Sequence, residues 1–433
     1  PGVAAVKTSR RDYPEGNNAS ELLGFIGQDE VGLAGVEADF DRELGGTPAE
    51  VLLERDALGN PIPFGRHVGE QPVPGGDVQL TIDRYLQRIV DEKLDLEIER
   101  HEADGGTIIV MNPKTGEILA MASRPSFRLS ELDLSADVAP DSYRNRAVTD
   151  VYPPGSVMKT VTMAGAIDAG LVAPDTTFND PGYAPVEGAE PIRNAQNSVL
   201  GTITMTQVLQ YSVNTGAVWL SDLMGPDRFY RNLERFGFGQ PADVGLSGEP
   251  AGLVVTPSDD NWYPVVMATN SFGQGIGVTP LQMTTAVSAL VNGGLLMRPY
   301  IVKEVAGPSG QRVFEPVVVQ RAVSEQTSQT LVEMMRAVVD GRSGHRAQVP
   351  GYHVGGKTGT SNIEGDPEPI TSFVGFTPAE DPQFVMLVKI DHPQDSPWGE
   401  AVAAPIFSDL APQILAYLGV PLQAGEALVA GSP

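Results

Sequence analysis

Apolar strand segments near opposite ends of the chain set the strongest limit on its fold. "GGTIIVMNPKTGEILAMAS" (105–123) reads as strand, turn, strand, with Asn112-Pro113-Lys114-Thr115-Gly116 as the turn. "SFVGFTP" (372–378) and "QFVMLVKID" (383–391) read as two more buried strands, the second ended by Asp391. Between them, "MTQVLQYSVNTGAVWLSDLM" (205–224) and "VTPLQMTTAVSALVNGG" (278–294) look helical, the second closed by its two glycines. Leu86, Ile89, Val90 and Leu94 recur at helical spacing over about 82–101. "AAPIFSDLAPQILAYLG" (403–419) reads as a C-terminal helix stopped by Gly419, with Pro412 expected to kink it. The implied fold class is α+β, its sheet built from both ends of the chain.

Residues 1 to about 75 carry Gly, Pro and acids with short apolar pieces and no long helical period, so an irregular, strand-poor module is expected there. "QPVPGGDVQLTID" (71–83) reads as a linker running into a short strand. The chain opens Pro1-Gly2 rather than with Met, which reads as a trimmed piece with any anchor upstream. Charge narrows the partners: 29 Lys+Arg against 55 Asp+Glu give −26, which disfavours nucleic acid and anionic bilayers alike. With no cysteine, disulfides, thiolate metal sites and thiol nucleophiles are excluded. The five histidines lack metal-ligand spacing, and no cofactor or metal is expected.

One stretch admits two readings. "GYHVGGKTGTSN" (351–362) matches the phosphate-loop pattern G-x-x-x-x-G-K-[ST] from Gly351 to Thr358. A phosphate loop must run into a helix whose free N–H groups face the anion. Here "GTSNIEGDPEPI" follows, with two glycines and two prolines in twelve residues and no apolar period. That segment cannot make the helix. Lys-Thr-Gly also occurs at Lys114-Thr115-Gly116, so the tripeptide alone means little.

The alternative is an acyl-serine site. In "VYPPGSVMKTVTMAGAIDAG" (151–170) two prolines and a glycine halt the chain before an apolar helix that ends near Gly170. Ser156 then sits in the first turn, with Lys159 on the same face. A serine hydroxyl needs a base to become a nucleophile, and the helix start offers the Ser156 N–H to an oxyanion. Lys159 serves as that base if burial among Val161, Met163 and Ala164, aided by a second cation, lowers its pKa. Taken alone, a capping serine and a snorkelling lysine would be the commoner outcome.

Two further segments shift that balance. "QYSVNTGAVW" holds Ser212 and Asn214, the one Ser-x-Asn of the chain; Ser212 is placed to relay a proton and Asn214 to hold Lys159 or a substrate amide. In "VGGKTGTSN" an exposed strand would pair with an extended substrate. There Lys357 would meet a carboxylate and Thr358 and Thr360 would supply hydroxyls. Gly359 would let a backbone approach, and the Thr360 N–H would be the second oxyanion donor.

Ser-x-x-Lys, Ser-x-Asn and Lys-Thr-Gly, in this order, are the motif trio of penicillin-binding proteins and class A β-lactamases. The chain resembles a class B penicillin-binding protein, a peptidoglycan D,D-transpeptidase of division or elongation. "LTIDRYLQ", "IVMNPKTGEILAMAS", "FGFG", "SFGQGIGVTPLQM" and "FVGFTP" resemble the transpeptidase framework, and "GLAGVEADFDRELGG" the tail of the family's N-terminal pedestal. Val157-Met158 stand where many members have Thr and Phe.

The resemblance implies an antiparallel sheet of about five strands flanked by helices, an all-helical subdomain and a smaller pedestal module. It divides the chain into a pedestal and linker (1–75), a transpeptidase domain (76–420) and a tail (421–433). It implies cross-linking of stem peptides, acylation of Ser156 by β-lactams, an upstream membrane anchor placing the domain on the extracytoplasmic face, and membrane glycan-polymerase and other division or elongation partners. A D,D-carboxypeptidase or β-lactamase on the same fold, and a non-catalytic β-lactam sensor or scaffold, remain as alternatives. Against a class A β-lactamase, the chain has no Glu-x-x-Leu-Asn stretch to place a deacylating base.

Overall fold

The structure, a computed structural model, describes residues 11–47, 51–53, 56, 62, 67–69, 73–132, 143–308, 310–341, 344–363, 365 and 368–423. From residue 424 on, the expected tail lies outside these.

The expected strands form one five-stranded sheet: β1 (Gly105–Met111), β2 (Ile118–Arg124), β3 (Gly355–Asn362), β4 (Pro369–Thr377) and β5 (Phe384–Asp391). Its order is β3-β4-β5-β1-β2, antiparallel throughout. Both ends of the chain therefore share the sheet, with β5 beside β1 and β3 on one edge. Side chains alternate across it. Phe373, Met386 and Val388 face a layer made by two helices, α2 (Arg84–Arg100) and α8 (Ala403–Tyr417). Val374, Val385 and Leu387 face the other layer with Met283 and Val287. Burial on both faces explains why these strands read as continuous apolar runs rather than as alternating ones.

The second layer opens into a helical subdomain: α3 (Met158–Asp168), α4 (Met205–Gln210), α5 (Asn214–Arg235), α6 (Pro280–Val291) and α7 (Glu325–Asp340). Every residue of α6 is buried, as befits a central helix with little amphipathic contrast. It starts on a Thr279–Gln282 capping box with Pro280 in its first turn, and Gly293 and Gly294 at positive φ end it. One helical expectation needs correction. The 205–224 segment is two helices, because Ser212 adopts φ 55 between α4 and α5. Helix α8 runs through Pro412, which lies on its exposed face, away from the packed stripe of Ile406, Leu410 and Ile414.

The N-terminal segment is tied to this body by a buried polar network. Glu21, in the short helix α1 (Ser20–Leu23), accepts from Ser123 N at 2.6 Å and Ser126 Oγ at 2.8 Å. Asp91 of α2 accepts from Ala19 N at 3.1 Å and from Arg124 Nη2 at 3.0 Å. Burial pushes the Glu21 carboxyl up to about 7, with the charge of Asp91 adding to the rise. Between pH 4.5 and 7 the folded chain keeps a proton there that the unfolded chain has lost, so stability falls as pH rises through this window. The cost is on the order of 3 kcal/mol. Glu21→Gln is expected to flatten the decline of Tm between pH 5 and pH 7.5; an unchanged slope in thermal melts would contradict this.

Candidate active site

Ser156 lies in a single 3-10 turn (Gly155–Val157) that leads into α3. Gly155 has φ 56, and a Cβ on it would sit 2.5 Å from the Thr360 carbonyl oxygen. The turn is thus pressed against β3. Gly273 supports it from behind: its carbonyl accepts from Gly155 N at 2.9 Å, and a Cβ there would meet the Gly155 carbonyl at 2.2 Å. Ser361 Oγ donates to the Pro153 carbonyl at 2.6 Å, a second tie between β3 and the turn. Neither Gly273 nor Ser361 was picked out from the sequence; "SFGQG" was visible only as framework.

Lys159 points from α3 to where Ser156 meets the break at Ser212. Its Nζ is 3.0 Å from Ser156 Oγ, 2.6 Å from the Ser212 carbonyl, 3.1 Å from Ser212 Oγ and 2.7 Å from Asn214 Oδ1. An ammonium has three hydrogens, so four acceptors leave one of them shared. The left-handed backbone at Ser212 turns its carbonyl toward Lys159, which is the reason the helix breaks there. Asn214 Nδ2 donates to the Arg193 carbonyl at 2.9 Å, which orients the amide so that its oxygen faces the lysine.

Lys357, Thr358, Gly359 and Thr360 lie on β3, whose far side has no neighbouring strand among the described residues. That strand was expected to be exposed. It is an edge in hydrogen bonding, yet Lys357 is fully buried and only Thr358 and Thr360 of the four are half-buried. Lys357 Nζ reaches its own neighbour's carbonyl and hydroxyl at 3.1 and 3.3 Å. Gly359 is constrained from within the fold. A Cβ there would sit 2.2 Å from Ser372 Oγ and 2.9 Å from the Pro154 carbonyl, so the glycine is needed for packing against the Ser156 turn.

Electrostatics follow from this burial. Both lysines are essentially inaccessible, and among the described residues no carboxylate pairs with either. Burial, and then the charge of Lys357, hold Lys159 well below the usual lysine range. Burial alone lowers Lys357 to about 7. The half-buried Ser156 and Ser212 thus both place their hydroxyls beside the buried Lys159 amine, an arrangement able to move a proton off a serine.

One histidine lies in a cluster of polar groups outside the site. His392 lies with Asp104 and Glu368, their ligand atoms within 4.8 Å of one another. The three sit at the ends of β5, β1 and β4, far apart in sequence, so spacing could not reveal the cluster. Here it is a hydrogen-bonded group, with His392 Nδ1 3.0 Å from Asp104 Oδ2.

The penicillin-binding protein transpeptidase domain family matches residues 106–411, and the penicillin-binding protein dimerisation domain family matches residues 1–80. The stage V sporulation protein D of Bacillus subtilis is 38% identical over 430 residues, covering 97% of this chain and 66% of that protein. The peptidoglycan D,D-transpeptidase FtsI of Escherichia coli is 33% identical over 428 residues, covering 97% and 69%. The chain spans about two thirds of the length of these curated relatives. The crystal structure of penicillin-binding protein 3 from Mycobacterium tuberculosis complexed with aztreonam superposes with a TM-score of 0.83 at 33% identity, covering 98% of this chain and 93% of that one. A family match over most of the sequence, and a fold shared almost end to end, make this chain a member of the class B penicillin-binding proteins, the family of the peptidoglycan D,D-transpeptidases.

Proposed function

We propose that the chain is a serine-type D,D-transpeptidase that cross-links peptidoglycan stem peptides and is acylated by β-lactams. The observation that carries this is the buried Lys159 amine, within hydrogen-bond distance of Ser156 Oγ, Ser212 Oγ and Asn214 Oδ1 and, among the described residues, paired with no acid. Lys159, neutral, takes the Ser156 proton as Oγ attacks the penultimate D-alanyl carbonyl. The oxyanion is received by the N–H groups of Ser156 and Thr360. Ser212 passes the proton from Lys159 to the departing D-alanine nitrogen as the C–N bond breaks. An acceptor amine then attacks the ester, gives up its proton by the reverse route, and frees Ser156. Lys357, with Thr358 and Thr360, holds the terminal carboxylate, and Gly359 keeps β3 close enough to do so. The division into a pedestal (1–75) and a transpeptidase domain (76–420), a position at the extracytoplasmic membrane face and a glycan-polymerase partner belong to the same proposal.

The reaction needs Lys159 neutral and Lys357 charged, and the two titrate as a pair. kcat/KM should therefore rise as Lys159 loses its proton and decline above about pH 7 as free Lys357 loses its charge. A bound carboxylate favours charged Lys357, so the alkaline limb of kcat should lie at higher pH. With donor stem peptide and an acceptor amine present, cross-linked product is expected to exceed hydrolysed donor. Hydrolysis alone would favour a carboxypeptidase. No turnover together with normal β-lactam binding would favour a sensor.

A further inference from the structure

Asn214 and Ser212 hold Lys159; Ser212 N is tied within its own segment to the Leu209 carbonyl at 3.2 Å, but the start of the helix that carries Asn214 has no side-chain cap there. Helix α5 begins at Asn214, and its N-cap, Val213, has no side chain able to cap. The cap comes from outside: Asn194 Oδ1 accepts from Thr215 N at 3.1 Å. Asn194 is itself gripped by Asp180, to which its Nδ2 donates at 3.1 and 2.9 Å. Thr215 Oγ1 donates to the same carboxylate at 2.7 Å. Gly182 N, at 2.9 Å, and Leu200 N, at 3.0 Å, complete the set of donors.

Asp180 is 1% exposed, Thr215 1% and Asn194 6%. Among the described residues no cation pairs with Asp180. A buried carboxylate costs several kcal/mol unless its lone pairs are filled, and here neutral donors from three loop positions and from the first turn of α5 fill them. Burial pushes its pKa up, but the hydrogen bonds from Thr215, Gly182, Leu200 and Asn194 outweigh this and hold it below the usual carboxylate range. An anion at a helix start is also favoured by the helix dipole. The hub joins the strand Thr177–Asp180, the loop around Asn194 and the turn of α5 adjoining the site.

We propose that Asp180 is a positioning residue for acyl transfer: through Asn194 and Thr215 it fixes the first turn of α5 and so aims Asn214 Oδ1 at Lys159 Nζ. It touches neither substrate nor nucleophile. The inference rests on the acyl-serine reading and deepens it. It also explains why a long helix can start beside Ser212 without a cap of its own.

The test compares Asp180→Asn, Thr215→Val and Thr215→Ser in the whole chain with a fluorescent penicillin. In Asp180→Asn one acceptor oxygen becomes an amide donor facing donors, which should tilt the turn. A misplacement of about 1 Å is expected to slow the acylation step on the order of 10²-fold, with the affinity of the preceding non-covalent complex little changed. Thr215→Val should act in the same direction, and Thr215→Ser, which keeps the hydroxyl, should acylate near the wild-type rate. A merely structural role would not move the acid limb of the rate profile. Loss of the Asn214 acceptor favours neutral Lys159, still facing the charge of Lys357, so that limb should shift to lower pH. Thermal melts and circular dichroism give the folded fraction, and Thr215→Val stands in if Asp180→Asn fails to fold. Wild-type rates and an unmoved limb in folded Asp180→Asn or Thr215→Val, or rates that fall only with the folded fraction, would overturn the role of Asp180. A folded wild type that takes no label at all would overturn the acyl-serine reading itself, and this role with it.

Discussion

Lys159→Met should leave a folded protein that reacts with penicillin roughly 10²–10⁴ times more slowly, the range a positioned base contributes. Methionine matches the lysine stem in length and apolar character but cannot take a proton. The exchange also removes a buried amine that has no acid partner among the described residues, and whose desolvation the fold otherwise has to offset. Tm is therefore expected to hold or rise while reactivity collapses. Stopped-flow acylation measured beside thermal melts separates the two effects. A variant labelled within tenfold of the wild-type rate would show that another group takes the Ser156 proton.

The second large effect is expected at a residue without a side chain. Gly359→Ala would place a Cβ 2.2 Å from Ser372 Oγ, 2.9 Å from the Pro154 carbonyl and 3.1 Å from Val157 Cγ2. To relieve this, β3 must move off the turn that carries Ser156, taking the Thr360 N–H with it. Losing one oxyanion donor costs about 10²–10³ in rate, and overpacking adds roughly 1–3 kcal/mol of destabilisation. Adding Ser372→Ala should recover only part of the rate, because the Pro154 contact is with backbone. Full acylation by Gly359→Ala alone would mean that the close approach of β3 to the turn is dispensable.

Local signals carried much of this architecture. The β1–β2 hairpin, the buried β4 and β5 strands and the Ser156–Lys159 helix follow from periodicity and from prolines and glycines, because each is set by neighbours in sequence. What was not legible is set by distant neighbours. Ser212 leaves the helical pattern because its carbonyl bonds to Lys159, 53 residues away. Gly273 and Gly359 are dictated by backbone from other segments, so their surroundings do not announce them. Glu21 lies in a segment that reads as irregular and acidic; only docking against Ser123 and Ser126 makes it a buried anchor. Asp180 and Asn194 resemble ordinary loop residues until α5 is brought to them.

The most direct test maps the adduct on penicillin-treated, folded protein by mass spectrometry of its peptides. One penicilloyl group is expected on the peptide containing Ser156, and none on the same peptide of Ser156→Ala. A label on Ser212, or an unmodified Ser156 in protein shown to be folded, would contradict the assignment of nucleophile and base on which the mechanism is built.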